Sequence, residues 1–141
     1  MEWNRLVPEL VVNDYERAKQ FYRDVLGFVV RFERPENRFG YFDLAGAQVM
    51  LLERAATSAI LPPVADERLH FQIEVDALDP LLARLAGAGH RLHITPYIAR
   101  YRGSDCVYVQ REFFVRDTDG YLLRFFQHLA EERIPDRQID L

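Results

Sequence analysis

The clearest pattern in the chain is an alternation at 69–75. Leu69, Phe71, Ile73 and Val75 are apolar, while His70, Gln72 and Glu74 are polar. A period of two places these sets on opposite faces of a strand. The apolar set is expected to pack on helices, and the polar set to face water or a cavity. Upstream, residues 6–12 are apolar and β-branched and read as a strand, with Leu10 and Val12 towards a helix and Val7, Glu9 and Val11 away from it. Asn13 and Glu16 have the spacing of a capping box. Behind them Ala18, Phe21, Tyr22, Val25 and Leu26 recur on one helical face, and Gly27 stands where a left-handed C-cap would end the helix. Strands follow at 28–34, 39–44 and 48–53. Pro35-Glu36-Asn37 makes a turn, and Ala45-Gly46-Ala47 closes a hairpin.

The order then restarts. Residues 55–67 contain Thr57, Ser58, Pro62 and Pro63 without alternation and read as a linker. After the strand at 69–75, Asp79-Pro80 reads as an N-cap followed by proline at the first helical position. Leu78, Leu82 and Leu85 share a helical face, and Gly87 or Gly89 ends that helix. Strands are expected at 91–95, 112–116 and 121–127, with Asp117-Thr118-Asp119-Gly120 as a hairpin turn. Residues 96–109 carry no readable pattern and are taken as a groove loop. Val12 recurs as Val75 and Gly27 as Gly89, offsets of about 62–63 positions, so the chain reads as a repeated βαβββ unit. The expected organisation is one α+β domain over 1–141: module 1 at about 5–54, module 2 at about 68–129, and a polar tail at 130–141. Whether that tail forms a helical turn or an arm stays open. Phe113, Phe114, Val115, Leu122, Leu123, Phe125 and Phe126 make the last strands apolar on both faces. Such a sheet is covered on both, by a partner subunit or around a ligand.

Composition narrows the function. The 141 residues are 49% hydrophobic and 28% charged, enough for a core without disulfides. The single cysteine, Cys106, leaves no intrachain disulfide and no paired-thiol zinc or redox motif. The formal charge of −4 argues against nucleic acid or an anionic membrane as partner. This holds although Arg91, Arg100, Arg102, Arg111 and Arg116 interleave with Tyr97, Tyr101 and Tyr108. No apolar run approaches the ~20 residues of a membrane span, and the N-terminus lacks a signal core. A cytoplasmic location is expected.

With these segments in place the chain resembles the vicinal oxygen chelate superfamily of glyoxalases, bleomycin-resistance proteins and dioxygenases. The resemblance is carried by Val-Val-Asn-Asp at 11–14, Phe-Tyr-Arg-Asp-Val-Leu-Gly-Phe at 21–28, Ala-Gly-Ala-Gln-Val-Met-Leu-Leu-Glu at 45–53, His-Phe-Gln-Ile-Glu-Val-Asp at 70–76, and the run from Arg111 to Phe125. It implies two βαβββ modules whose eight strands form a half-open cup. The superfamily's metal-ligand positions fall on Val7, Leu51, His70 and Arg124, of which only His70 can bind a metal. Val7-Pro8 resembles the bleomycin-resistance branch, which implies antibiotic resistance through metal-free binding. Thr118 replaces a usual proline, and Tyr108-Val109 replaces a usual Trp-Gly.

The expectation is a homodimer without cofactor or metal, holding a small, cationic ligand in a groove between subunits. The candidate ligand-binding residues are Glu9, His70, Gln72, Glu74, Glu112, Phe114 and Arg124. Glu9, Glu74 and Glu112 either line an acidic groove or are solvated or paired with Arg124 and Arg116. Trp3, Phe39, Tyr41, Phe114 and Phe126 either stack on a planar ligand or belong to the core. Two alternatives stay open. One is a metal-dependent lyase, isomerase or dioxygenase using Glu9, Glu53 and His70. The other is a catalytically silent cup that serves only subunit association. No catalytic residue is assigned.

Overall fold

The computed structural model describes residues 2–134. Module 1 comprises β1 (Glu9–Val12), α1 (Tyr15–Gln20), β2 (Val29–Arg34), β3 (Phe39–Leu44) and β4 (Ala47–Glu53). Module 2 comprises β5 (Phe71–Glu74), α2 (Asp79–Gly87), β6 (Ile94–Arg102), β7 (Cys106–Arg116) and β8 (Leu122–Arg133). Each module is a four-stranded sheet, ordered β1-β4-β3-β2 and β5-β8-β7-β6. In each, the first strand runs parallel to the last and the other neighbours are antiparallel. The repeat read from the sequence is therefore a repeat of structure. No described helix is long and apolar enough to cross a membrane.

The two modules share one core. Leu10, Val12, Tyr22 and Leu26 of module 1 pack in a single cluster with Ile73, Leu85, Phe113 and Phe125 of module 2. Polar contacts lock the same junction. The Tyr22 hydroxyl donates to Asp117 Oδ2 at 2.6 Å, the Tyr121 hydroxyl donates to the Val11 carbonyl at 2.8 Å, and Arg84 Nε donates to the Val25 carbonyl at 2.9 Å.

Local expectations hold in part. Asp14, not Asn13, caps α1: its Oδ1 accepts from the Arg17 amide at 3.1 Å. Asn13 is turned towards the linker. Its side chain accepts from the Leu61 amide and donates to the Leu61 carbonyl, both at 2.8 Å. The first helix widens into a π-helical turn at Phe21–Val25 before Gly27, whose φ is 90°. In α2 the residue before the helix is Leu78, and Asp79 lies inside its first turn. Leu81 joins Leu78 and Leu85 in the core, while Leu82 packs at its edge.

Three expectations are corrected. The strand expected at 69–75 is shorter, and Leu69 is 66% exposed because it lies before the first paired residue of β5. Residues 96–109 are no loop: β6 and β7 pair as an antiparallel hairpin, from Ile94 with Phe114 to Arg102 with Val107. Its pattern is faint because β6 is an edge strand, where exposure relaxes the need for apolar alternation, and only Tyr97, Ala99 and Tyr101 keep a period of two. Finally, β8 extends through Arg133 and absorbs the start of the polar tail as strand. The rest of the tail lies outside the described residues.

Candidate functional site

Strand register decides which side chains share a surface. Pairing of Gln72 with Arg124 and Glu74 with Phe126 aligns β5 with β8. Pairing of Phe114 with Arg124 and Glu112 with Phe126 aligns β7 with β8. Six of the seven candidate residues (His70, Gln72, Glu74, Glu112, Phe114 and Arg124) therefore lie on one face of module 2. Arg124 Nη2 donates to Gln72 Oε1. The His70 ring stands edge-on to Phe114, with centroids 5.3 Å apart. The Arg124 guanidinium carbon lies 6.0 Å from the Phe114 centroid and 5.9 Å from that of Tyr101.

Glu112 is fully buried. Its Oε1 accepts from the Tyr101 hydroxyl at 2.6 Å and from the Tyr97 hydroxyl, and its Oε2 accepts from Gln110 Nε2 at 2.7 Å. Burial pushes the carboxyl up, but these three donors and the charge of Arg124 outweigh it and hold the group below the usual carboxylate range. Burial and the same carboxylate push both phenols up, that of Tyr97 well up, so Tyr97 and Tyr101 stay protonated donors. Glu112 is thus neither a solvated acid nor the ion-pair partner of Arg116. That arginine instead donates to the backbone carbonyls of Val64, Ala65 and Gly120. Tyr97, Tyr101 and Gln110 were missed as site residues. The period-two series Tyr97, Ala99, Tyr101 was the signal that could have found the first two.

Glu9 lies apart, on the concave face of module 1. That face holds a cavity of about 560 Å³ lined by module 1 residues alone, Glu9 among them. Its wall is aromatic. Trp3 stands edge-on to Tyr41 at 5.1 Å and to Phe32 at 5.7 Å, and Phe32 stacks on Tyr41 at 5.4 Å. Arg34 lies over Phe39, 4.7 Å from its centroid.

The register also moves the expected metal positions. Glu9 pairs with Met50 and Leu10 with Leu51. Leu51 is therefore on the core face with Leu10 and fully buried, and Met50 and Leu52 are the β4 residues that line the module 1 cavity. Glu53 is on the same side as Leu51. It accepts from the Tyr15 amide at 2.9 Å and from Arg38 Nε at 2.8 Å. Glu9 and Glu53 point to opposite faces, so the Glu9, Glu53 and His70 triad does not converge. A divalent metal needs three or more directed N, O or S donors. Val7, the thioether of Met50, Leu52, His70 and Arg124 do not make such a set, and no group of three or more His, Cys, Asp or Glu converges among the described residues.

Asp117 and Asp119 serve the turn. Asp117 Oδ1 accepts from the amides of Asp119 and Tyr121, both at 2.9 Å, and Asp119 Oδ1 accepts from the Asn13 amide at 2.8 Å.

Similarity to known proteins fits this architecture. TioX from Micromonospora sp. ML1 superposes with a TM-score of 0.64 at 23% identity, covering 90% of this chain and 100% of that one. The genomically encoded fosfomycin resistance protein FosX from Listeria monocytogenes gives 0.63 at 14% identity, covering 92% and 97%. A glyoxalase/bleomycin resistance protein/dioxygenase from Alicyclobacillus acidocaldarius gives 0.63 at 19% identity, covering 90% and 92%. A search of curated proteins finds no significant match. At these identities the superpositions establish the fold. The family model for the Glyoxalase/Bleomycin resistance protein/Dioxygenase superfamily matches residues 4–125, nearly the whole of both modules, and the chain belongs to that superfamily.

Proposed function

We propose that the protein binds a small aromatic molecule, without a metal, in a cup formed where the concave face of one module meets that of a second chain. The observation that carries this reading is the pair of unlike faces. Module 1 presents an aromatic cavity whose size suits a ligand, and module 2 presents His70, Gln72, Glu74 and Arg124 around Phe114. The module 1 cavity is lined by its own module, while His70 and Gln72 also border module 1 residues such as Pro8 and Gln48. Association of two chains would set one against the other, and a closed two-fold dimer is the commonest such assembly. Exposed Trp3, Leu6 and Ile94 are available for burial there. A dimer is expected in sedimentation at micromolar concentration, and a monomer would remove the two-chain cup.

The resistance named for FosX makes sequestration of a toxic compound the role to examine in cells. A cationic ligand draws support from Glu9 and Glu74 only, since the oxygens of Glu112 are occupied by neutral donors. Binding is testable with neutral 2-naphthamide. Trp3 is the only tryptophan and lines the aromatic cavity, so saturable quenching of its fluorescence is expected. No change in fluorescence at the solubility limit would sink the binding reading.

The metal-dependent enzyme remains the second reading, favoured by His70 alone. The expected result is a protein that purifies without stoichiometric transition metal and shows no metal-stimulated glyoxalase activity. About one metal per chain, lost in His70→Ala, would promote the enzyme reading instead.

A further inference from the structure

We propose that Arg124 anchors an acidic group of the ligand, with Phe114 beneath it and His70 as a flanking donor. This rests on the binding reading above and adds the charge of the ligand. Glu112 and Arg124 share a face on adjacent strands, a placement in which opposite charges commonly pair. Here the carboxylate instead takes three neutral donors, from Tyr97, Tyr101 and Gln110. Among the described residues the guanidinium is left with the neutral amide oxygen of Gln72.

A guanidinium offers five N–H donors. Arg124 uses one of them within the described residues, and its Nε is buried without a hydrogen-bond partner. His70 Nδ1 is in the same condition. Both side chains reach the same ring, His70 at 5.3 Å and Arg124 at 6.0 Å from Phe114. Leaving a buried donor unpaired costs more than a made hydrogen bond returns, so Arg124 Nε favours an incoming acceptor, to which His70 also donates in its Nδ1–H tautomer. A carboxylate fits best, because its two oxygens match the planar fork of a guanidinium and the bonds are charge-assisted. Entry of such a group requires Arg124 to give up Gln72 and turn its fork outward. Of the two acids on this face, Glu112 is sealed by its donors and Glu74 is exposed and screened by solvent. Neither occupies the fork.

The test uses the full chain and three probes with a common ring: 2-naphthoate, its neutral isostere 2-naphthamide, and cationic 2-naphthylmethylammonium. Naphthoate is expected to bind about tenfold more tightly than naphthamide, the gain of one charge-assisted contact. The Arg124 Nε–H resonance, assigned by its loss in Arg124→Gln, should shift on titration with naphthoate. In that variant the affinity for naphthoate should fall to that of the amide, and Arg124→Lys should restore part of it. Equal affinities in the wild type, or a preference for the ammonium, would overturn the proposal while leaving small-molecule binding intact. Failure of all three probes to bind would overturn both.

Discussion

Replacing Gly120 by alanine is expected to destabilise the protein by about 3 kcal/mol and lower Tm by roughly 10 °C. Two costs add at this position. Its φ is +91°, a left-handed conformation that a side chain resists. A Cβ there would also meet the backbone of Val64, 2.2 Å from its carbonyl oxygen and 2.7 Å from its nitrogen. Neither atom can swing aside. The Val64 amide donates to the Asp119 carbonyl at 2.8 Å, and the Val64 carbonyl accepts from Arg116 Nη1 at 3.2 Å. The linker is thus held against the β7–β8 turn at the contact the methyl group would break. Gly46 supplies the control. Its φ is +95°, but a Cβ there meets nothing within 4 Å. Gly46→Ala should cost only the conformational part, about 1 kcal/mol. Thermal unfolding of the two variants isolates the Val64 contact, and equal losses would show that the linker yields without cost.

A second large effect is expected in the pH dependence of stability. The Asp117 carboxyl is pushed up to about 6, because burial outweighs the lowering by its donors Tyr22, Asp119 and Tyr121, while the charge of Asp119 adds to the rise. In an unfolded chain the same group titrates near 3.9. The folded state therefore holds the proton more tightly. The resulting stabilisation is fully present below the unfolded value and is lost as pH rises through about 6. The whole effect amounts to about 3 kcal/mol, of which about 1 kcal/mol disappears between pH 5 and 7.

Carboxylates held low by their partners, such as Glu33 and Glu53, act with the opposite sign. Their stabilisation is present above the ordinary carboxylate range and fades only as pH falls through their lowered values, outside this window. Asp117→Asn keeps an acceptor for the two turn amides and cannot ionise. Denaturant titrations at pH 5 and 7 should show the wild type losing about 1 kcal/mol relative to the variant, a comparison that cancels the histidines common to both. Parallel pH profiles would mean that Asp117 stays ionised across the range.

The residues that were legible from sequence are those whose signal is local. The alternation from His70 to Glu74 placed three site residues on one face because a strand's period needs no knowledge of its neighbours. The run Asp117-Thr118-Asp119-Gly120 marked its turn because the side-chain acceptor and the left-handed glycine belong to the turn itself. Asn13 misled for the same reason. Its spacing to Glu16 suited a cap, but its side chain is claimed by Leu61, 48 positions away.

The amino-acid sequence alone determined the repeated βαβββ order and the face on which His70, Gln72 and Glu74 lie, since each follows from periodicity within a segment. The tertiary structure decided what depends on register between strands. It put Leu51 and Glu53 on the core side, with Met50 and Leu52 on the cavity side. It also brought Tyr97, Tyr101 and Gln110 onto Glu112, and so left Arg124 without a carboxylate among the described residues. Periodicity sorts a strand's residues into two sets, but only hydrogen bonding to the neighbouring strand says which set of one joins which set of the other.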